Sequence, residues 1–199
     1  MTSFCEYIHY NEDMEEKKRL RKEYLERLQR LSEEERAGDR KIIEQVLALP
    51  EYREAGSVFS FVSRPQEIDT RFFLQQVLQD GKTLAVPLCF PKGIMEARIL
   101  NDTAELQPGF YGIEEPPRSA PCLKKEEIGL ALIPCLAADL QGGRLGFGGG
   151  YYDRYFAGLS VPAVLICREA MLAEKLPAEA HDIRFPILIT EKRCLFFKK

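Results

Sequence analysis

Apolar residues set the first rhythm of the chain. From about Glu12 onward, Leu20, Tyr24, Leu28 and Leu31 recur every three or four positions, and Glu23/Arg27 and Glu26/Arg30 make i,i+4 pairs. That spacing predicts a long amphipathic helix. Residues 1–12 carry no such pattern and are expected to be a loose extension. Ser32 followed by Glu33, Glu34 and Glu35 has the form of a capping box, so a second helix should begin there. Its apolar face is Ile42, Ile43, Val46 and Leu47, and Pro50 marks its end.

The rhythm then changes. Residues 57–62, 83–87, 130–134, 163–167 and 187–190 are short apolar runs of the kind that form buried strands. Residues 94–99 alternate and suggest a half-exposed strand, and residues 194–197 form a last apolar run. Between the first two strands, Asp69 or Thr70 should cap a helix carrying Phe72, Phe73, Val77 and Leu78, which stops at Gly81. Residues 101–127 hold few core positions and four prolines, and should be mostly loop. Strands alternating with helices predict one domain over residues 1–199. Its expected architecture is a three-layer α/β/α sandwich with a mainly parallel, Rossmann-like sheet.

Composition narrows the partners. The chain has 199 residues, 45% of them hydrophobic and 30% charged, with a net charge of −3. That balance suits a globular protein and gives no global electrostatic pull on nucleic acid. The acidic N-terminus lacks the apolar centre of a signal peptide, and no apolar run reaches membrane-spanning length. The six cysteines are scattered, with no C-x-x-C pair. Cys89, Cys135, Cys167 and Cys194 lie in or beside apolar runs, so buried free thiols there and a reducing, cytoplasmic setting are expected.

Residues 142–155 carry the strongest chemical signal. Six of these fourteen residues are glycine, interleaved with Arg144, Phe147, Tyr151, Tyr152, Asp153 and Arg154. Glycines let backbone amides converge on an anion, and the stretch follows a predicted strand and runs into a predicted helix. It is neither a Walker A loop nor a dinucleotide fingerprint, because Gly-Lys-Ser/Thr is absent and Tyr151 stands where the last glycine would be. Its anchoring side chains distinguish it from a flexible linker. On the residues alone an anion or nucleotide site is favoured over a plain loop, with Asp153 placed where Mg²⁺ could bridge phosphate oxygens.

Three other places could contribute. Lys17 and Arg21 share one helix face and together could hold a phosphate chain, although most of the basic cluster around them reads as a solvated surface. Glu67 follows the first strand, beyond whose carboxyl end ligands of open α/β sheets bind. Phe110 and Tyr111 lie beside a turn and could stack on a flat ring or pin their loop to the body. His181 reads as a loop histidine in contact with solvent.

Together these segments resemble the 5-formyltetrahydrofolate cyclo-ligase family from about Lys17 to Thr190. Residues 144–154, Arg-Leu-Gly-Phe-Gly-Gly-Gly-Tyr-Tyr-Asp-Arg, look like the family signature almost letter for letter. Lys17-x-x-Leu20-Arg21, Glu67-Ile68-Asp69-Thr70, Gly112-Ile113-Glu114-Glu115-Pro116 and the segment from Leu176-Pro177 to His181-Asp182 follow the family's motifs in order. The resemblance implies an ATP- and Mg²⁺-dependent cyclisation of 5-formyltetrahydrofolate to 5,10-methenyltetrahydrofolate through a phosphorylated formyl group, with ADP and phosphate released. It assigns the nucleotide to Lys17, Arg21, Arg144, Leu145, Gly146, Phe147, Gly148, Gly149, Gly150, Tyr151 and Tyr152. It gives the folate, whether or not polyglutamylated, to Val62, Glu67 and Tyr111, and Mg²⁺ to Asp153 and Asp182. Glu67 and Arg144 are the implied catalytic residues.

The chain departs from the family at Leu88, Cys135, Ala138 and Pro186, where Arg or Lys, Gly, Phe and an acid are common. A monomer acting in the cytoplasm, without nucleic-acid or membrane partners, is expected. Two alternatives are a family-like nucleotide- or RNA-binding protein without cyclo-ligase activity and a phosphosugar enzyme on a similar fold. The negative charge and the absence of a basic patch interleaved with aromatics count against RNA.

Overall fold

A computed structural model describes residues 4–109, 112–179 and 181–197, with side chains from Asp13 onward. Helix α1 spans Phe4–Arg30. It starts well before Glu12, so residues 4–12 are helical along the backbone rather than a loose extension. Helix formation needs no apolar rhythm where strong helix formers such as Glu12, Met14, Glu15 and Glu16 follow one another. Where the rhythm does begin, it marks contact with the body: Tyr24, Leu28 and Leu31 are buried.

The capping box forms as expected. Ser32 Oγ accepts from Glu35 N at 3.2 Å, and Glu35 Oε2 accepts from Ser32 N at 2.8 Å. The helix behind it is broken into α2 (Glu33–Ala37) and α3 (Asp39–Ala48) at Gly38. Pro50 then opens α4 (Pro50–Glu54) at its first turn, where the missing N–H costs nothing.

In order, the remaining elements are β1 (Ser57–Ser60), α5 (Arg71–Gln79), β2 (Thr83–Phe90), β3 (Ile94–Leu100), β4 (Gln107–Pro108), β5 (Glu114–Glu115) and β6 (Cys122–Leu123). They continue with β7 (Leu130–Ile133), β8 (Ala137–Asp139), β9 (Arg144–Leu145), α6 (Tyr151–Phe156), β10 (Ala163–Ile166), β11 (Leu172–Ala173), β12 (Ile187–Ile189) and β13 (Cys194–Phe196). The main sheet runs β13-β12-β10-β7-β1-β2-β3-β6. Strands β12, β10, β7, β1 and β2 are parallel neighbours, while β13, β3 and β6 pair antiparallel at the edges. A smaller sheet, β11-β8-β9, carries the glycine stretch.

The parallel strands are buried on both faces, which is why they read as continuous apolar runs. Alternate residues serve opposite layers. Val58, Leu130, Leu132 and Val164 pack with α3, α4 and α5, while Phe59, Ala131, Ile133 and Leu165 pack with α1 and α6. This is the expected three-layer sandwich. No helix among the described residues is long and apolar enough to cross a membrane.

Phe59 joins the sheet to α6. It is fully buried, stacks on Tyr155 at 5.6 Å, and meets Phe156 edge-on at 5.7 Å and Tyr152 at 6.4 Å. Phe59→Ala is expected to cost about 3–5 kcal/mol in a denaturant titration. It should also loosen α6, which a rise in amide exchange at residues 151–156 would report.

Candidate active site

Strands β1, β7 and β10 are adjacent and parallel, so their carboxyl ends open on one side of the sheet, where ligands of such sheets bind. The segments that follow them meet there. After β1 the chain turns back into α5 through Thr70, whose hydroxyl donates to Phe61 O at 2.9 Å and accepts from Ser63 N at 3.1 Å. Capping of α5 falls instead to Asp69, which accepts from Arg71 N at 3.0 Å. This turn presents Glu67. The Glu67 carboxylate accepts from Arg64 N at 2.8 Å and from the Arg64 guanidinium at 3.1 Å.

After β7 the chain enters β8 and the glycine stretch. Asp139, at the end of β8, is 1% exposed and accepts from Gln141 N at 2.9 Å, Gly143 N at 2.7 Å and Leu176 N at 3.0 Å. Three amides on one buried carboxylate fix the entry to the loop and tie it to the segment leading to Asp182. Gly148 and Gly150 then adopt φ of +100° and +62°, which a side chain would strain. Among the described residues, Gly146 to Gly150 donate none of their backbone amides to another protein group. Five consecutive amides are thus open to a ligand.

Helix α6 is fastened to the β2–β3 turn. Tyr151 Oη donates to Phe90 O at 3.1 Å, and Arg154 Nε donates to Gly93 O at 3.2 Å. Arg154 therefore acts as a clamp on the loop. Arg144 faces inward: it donates to Asp153 at 2.7 Å and to Pro134 O at 3.2 Å, while its Nε is buried without a partner. Its guanidinium also lies 5.3 Å from the Tyr152 ring centroid. Burial, and then the charge of Glu67, push the Tyr152 hydroxyl well above the usual phenol range, so it stays protonated.

Helix α1 crosses both halves of this arrangement. Arg21 Nε donates to Gly146 O at 3.1 Å, which brings Arg21 onto the glycine loop. Lys17, one turn earlier and 4% exposed, bonds Glu179 at 2.7 Å and also Asp182. Glu179, His181 and Asp182 form a cluster able to hold a cation, with His181 itself exposed. Asp153 is not part of that cluster; it is engaged by Arg144. Val62 and its neighbour Phe61 are both buried in the core on the α5 side, and Phe61 also lines the pocket. Tyr111 lies outside the described residues.

That pocket lies between the two halves, lined by Phe61, Glu67, Cys135, Phe147, Cys167 and Arg168, among others. Two of its organising residues carry no sequence signal. Arg168 donates through Nε and one terminal nitrogen to the two Asp39 oxygens, both at 2.7 Å, and to the carbonyls of Gln66 at 3.0 Å and Glu67 at 2.9 Å. Arg64 lies 4.1 Å over the ring of Phe147, joining the Glu67 turn to the glycine loop.

A loop of open amides flanked by Arg21 and Arg144 thus faces a pocket that holds Glu67. Residues 13–191 match the model of the 5-formyltetrahydrofolate cyclo-ligase family. The chain belongs to this family. A relative named 5-formyltetrahydrofolate cyclo-ligase from Mycolicibacterium smegmatis is 31% identical over 73% of this chain and 72% of its own. The cyclo-ligase of Escherichia coli is 29% identical over 75% of this chain and 85% of its own. The NMR structure of the Aquifex aeolicus 5,10-methenyltetrahydrofolate synthetase superposes with a TM-score of 0.81 at 32% identity, covering 92% of this chain and 93% of that one. Residues 144–154, the stretch that resembles the family signature, are β9, the open-amide loop and the first turn of α6.

Proposed function

We propose that the protein cyclises 5-formyltetrahydrofolate to 5,10-methenyltetrahydrofolate with ATP as co-substrate. The open amides of Gly146 to Gly150 beside Arg21 and Arg144 support this reading most directly. A formamide carbonyl is a poor electrophile. Its oxygen attacks the γ-phosphorus of ATP and ADP leaves. The folate N10 then attacks the activated formyl carbon, and loss of phosphate completes the methenyl bridge. The protein's part is positioning and charge neutralisation.

In this reading the amides from Leu145 to Tyr152 and the Arg21 and Arg144 guanidinium groups hold the phosphate chain, and Arg144 turns its unpartnered Nε toward the transferring phosphoryl. Lys17 orders Glu179 and Asp182 at the edge of the site. Glu67, with Phe61 and Phe147, takes the folate and orients N10. The carboxylates of Asp182 and Glu179 are oxygen donors suited to a hard cation, and Asp153 joins them once the nucleotide draws Arg144 away. Bound there, Mg²⁺ would offset phosphate charge.

The test mixes protein, Mg-ATP and 5-formyltetrahydrofolate and follows the near-ultraviolet absorbance of the methenyl product. No ATP-dependent rise with folded protein would sink the proposal. Glu67→Gln is expected to lower kcat/KM for the folate by about a hundredfold, the low end for loss of a positioned acid–base group, with KM for ATP unchanged. An unchanged folate kcat/KM would remove Glu67 from the mechanism.

A further inference from the structure

Beside the polar groups assigned above, the pocket holds two thiols. Cys135 follows β7 and Cys167 follows β10, parallel neighbours in register as Ala163↔Ala131, Val164↔Leu132 and Leu165↔Ile133. Continued past the end of β7, that register would set Cys167 opposite Cys135. Adjacent strands hold opposed Cα atoms about 5 Å apart, inside the range a disulfide spans. Both residues line the pocket with Glu67 and Phe147, and, after burial, the Cys135 thiol is near enough to help raise the Cys167 thiol above its usual range. Cys135 Sγ also lies 3.2 Å from Ile166 O, and Cys167 Sγ lies 3.4 Å from Arg168 O.

We propose that Cys135 and Cys167 are a modification site, a dithiol that a low-molecular-weight disulfide converts into an intramolecular disulfide, narrowing the pocket against folate. Half-buried Cys135 is the one a reagent reaches first. Its thiolate attacks one sulfur of the reagent R–S–S–R, forming a mixed disulfide and releasing R–S⁻. The Cys167 thiolate then attacks the Cys135 sulfur and releases the second R–S⁻. The two cysteine protons end on the departing thiolates, so two cysteine sulfurs are oxidised and two reagent sulfurs reduced. Burial, and next the neighbouring Cys135, hold the Cys167 thiol above its usual range. The second step is therefore slow in intrinsic terms and relies on proximity.

The position makes the bond consequential. Cys135 adjoins Pro134, whose carbonyl accepts from Arg144, and Cys167 adjoins Arg168, which holds the Glu67 turn. Closing the disulfide turns both sulfurs away from the Ile166 and Arg168 carbonyls and ties together the strand ends that seat these two arginines. The effect on folate rests on the cyclo-ligase reading; formation of the bond does not.

The test incubates the folded protein with oxidised glutathione, blocks remaining thiols by alkylation, and maps the digest by mass spectrometry. Exposed Cys122 and Cys194 serve as internal markers of reagent attack. The expected result is a peptide pair joining Cys135 to Cys167, with the loss of two hydrogens. KM for folate should rise, and dithiothreitol should reverse both the linkage and the rise. In Cys135→Ser the linked pair is absent, and oxidised glutathione leaves the folate KM at that variant's own untreated value. Recovery of Cys135 and Cys167 as alkylated thiols while Cys122 and Cys194 carry glutathione would overturn the proposal. So would a linked pair with an unmoved folate KM. A protein that never cyclised folate would instead fail the absorbance assay before any oxidant was added, and the peptide map would still decide the bond.

Discussion

Arg144→Ala is expected to reduce turnover by about two to three orders of magnitude, the usual loss when one preorganised donor to developing charge is removed. Three observations converge on this residue. Its side chain is 6% exposed, it is paired to Asp153, and its Nε is the one nitrogen left without an acceptor. Neutral backbone amides cannot supply the charge that a transferring phosphoryl group requires, and Arg21 already spends its Nε on Gly146 O. The same change strands the Asp153 carboxylate, which is 17% exposed, so a stability loss of about 3 kcal/mol should accompany it. Turnover and stability can be separated. Adding Asp153→Ala removes the unpaired charge and should recover much of the stability, but it also removes a proposed Mg²⁺ ligand, so turnover is read from the single Arg144 variants. Arg144→Lys, which keeps the charge but not the planar fork, should fall between the wild-type protein and Arg144→Ala. Recovery of turnover in step with stability would mean that Arg144 only holds the loop together.

How much of this site could be read from the chain depends on the range of the interactions involved. Local rules worked where the structure is local. The capping box at Ser32, the buried strands and the glycine stretch all follow from neighbours a few residues apart. The pairing of Arg21 with the loop was legible only because the basic motif and the signature both resemble one family; nothing in the spacing itself joins residues so distant. Asp153 sits on α6, as the strand-loop-helix reading placed it, but its ion pair with Arg144 left no signal in the spacing. Phe61 and Val62 lie just past the end of β1 and share the core on the α5 side, and of the two it is Phe61 that lines the pocket, a distinction no local pattern carries. Arg168 and Asp39 gave no signal, because a buried ion pair between remote segments leaves no periodicity and no motif. Only the fold brings them together.

That pair carries the remaining large effect. Arg168→Lys is expected to raise the folate KM by about tenfold, equivalent to about 1.4 kcal/mol, and to leave KM for ATP in place. A lysine keeps the charge near Asp39 but lacks the fork that bonds two carboxylate oxygens and two carbonyls at once. Freed from Arg168, the Gln66 and Glu67 carbonyls no longer fix the turn, and the Glu67 carboxylate loses its set orientation toward the pocket. Arg168→Ala would leave the half-buried Asp39 uncompensated, at a cost of about 3 kcal/mol, so the lysine variant is the cleaner probe. Asp39→Asn supplies the contrast. It weakens the ion pair and so lowers stability in a urea titration, yet leaves Arg168 on the two carbonyls, so folate KM should move little. If Arg168→Lys and Asp39→Asn raise folate KM in proportion to the stability each loses, Arg168 is only part of the scaffold. If the lysine variant alone moves it, Arg168 positions Glu67.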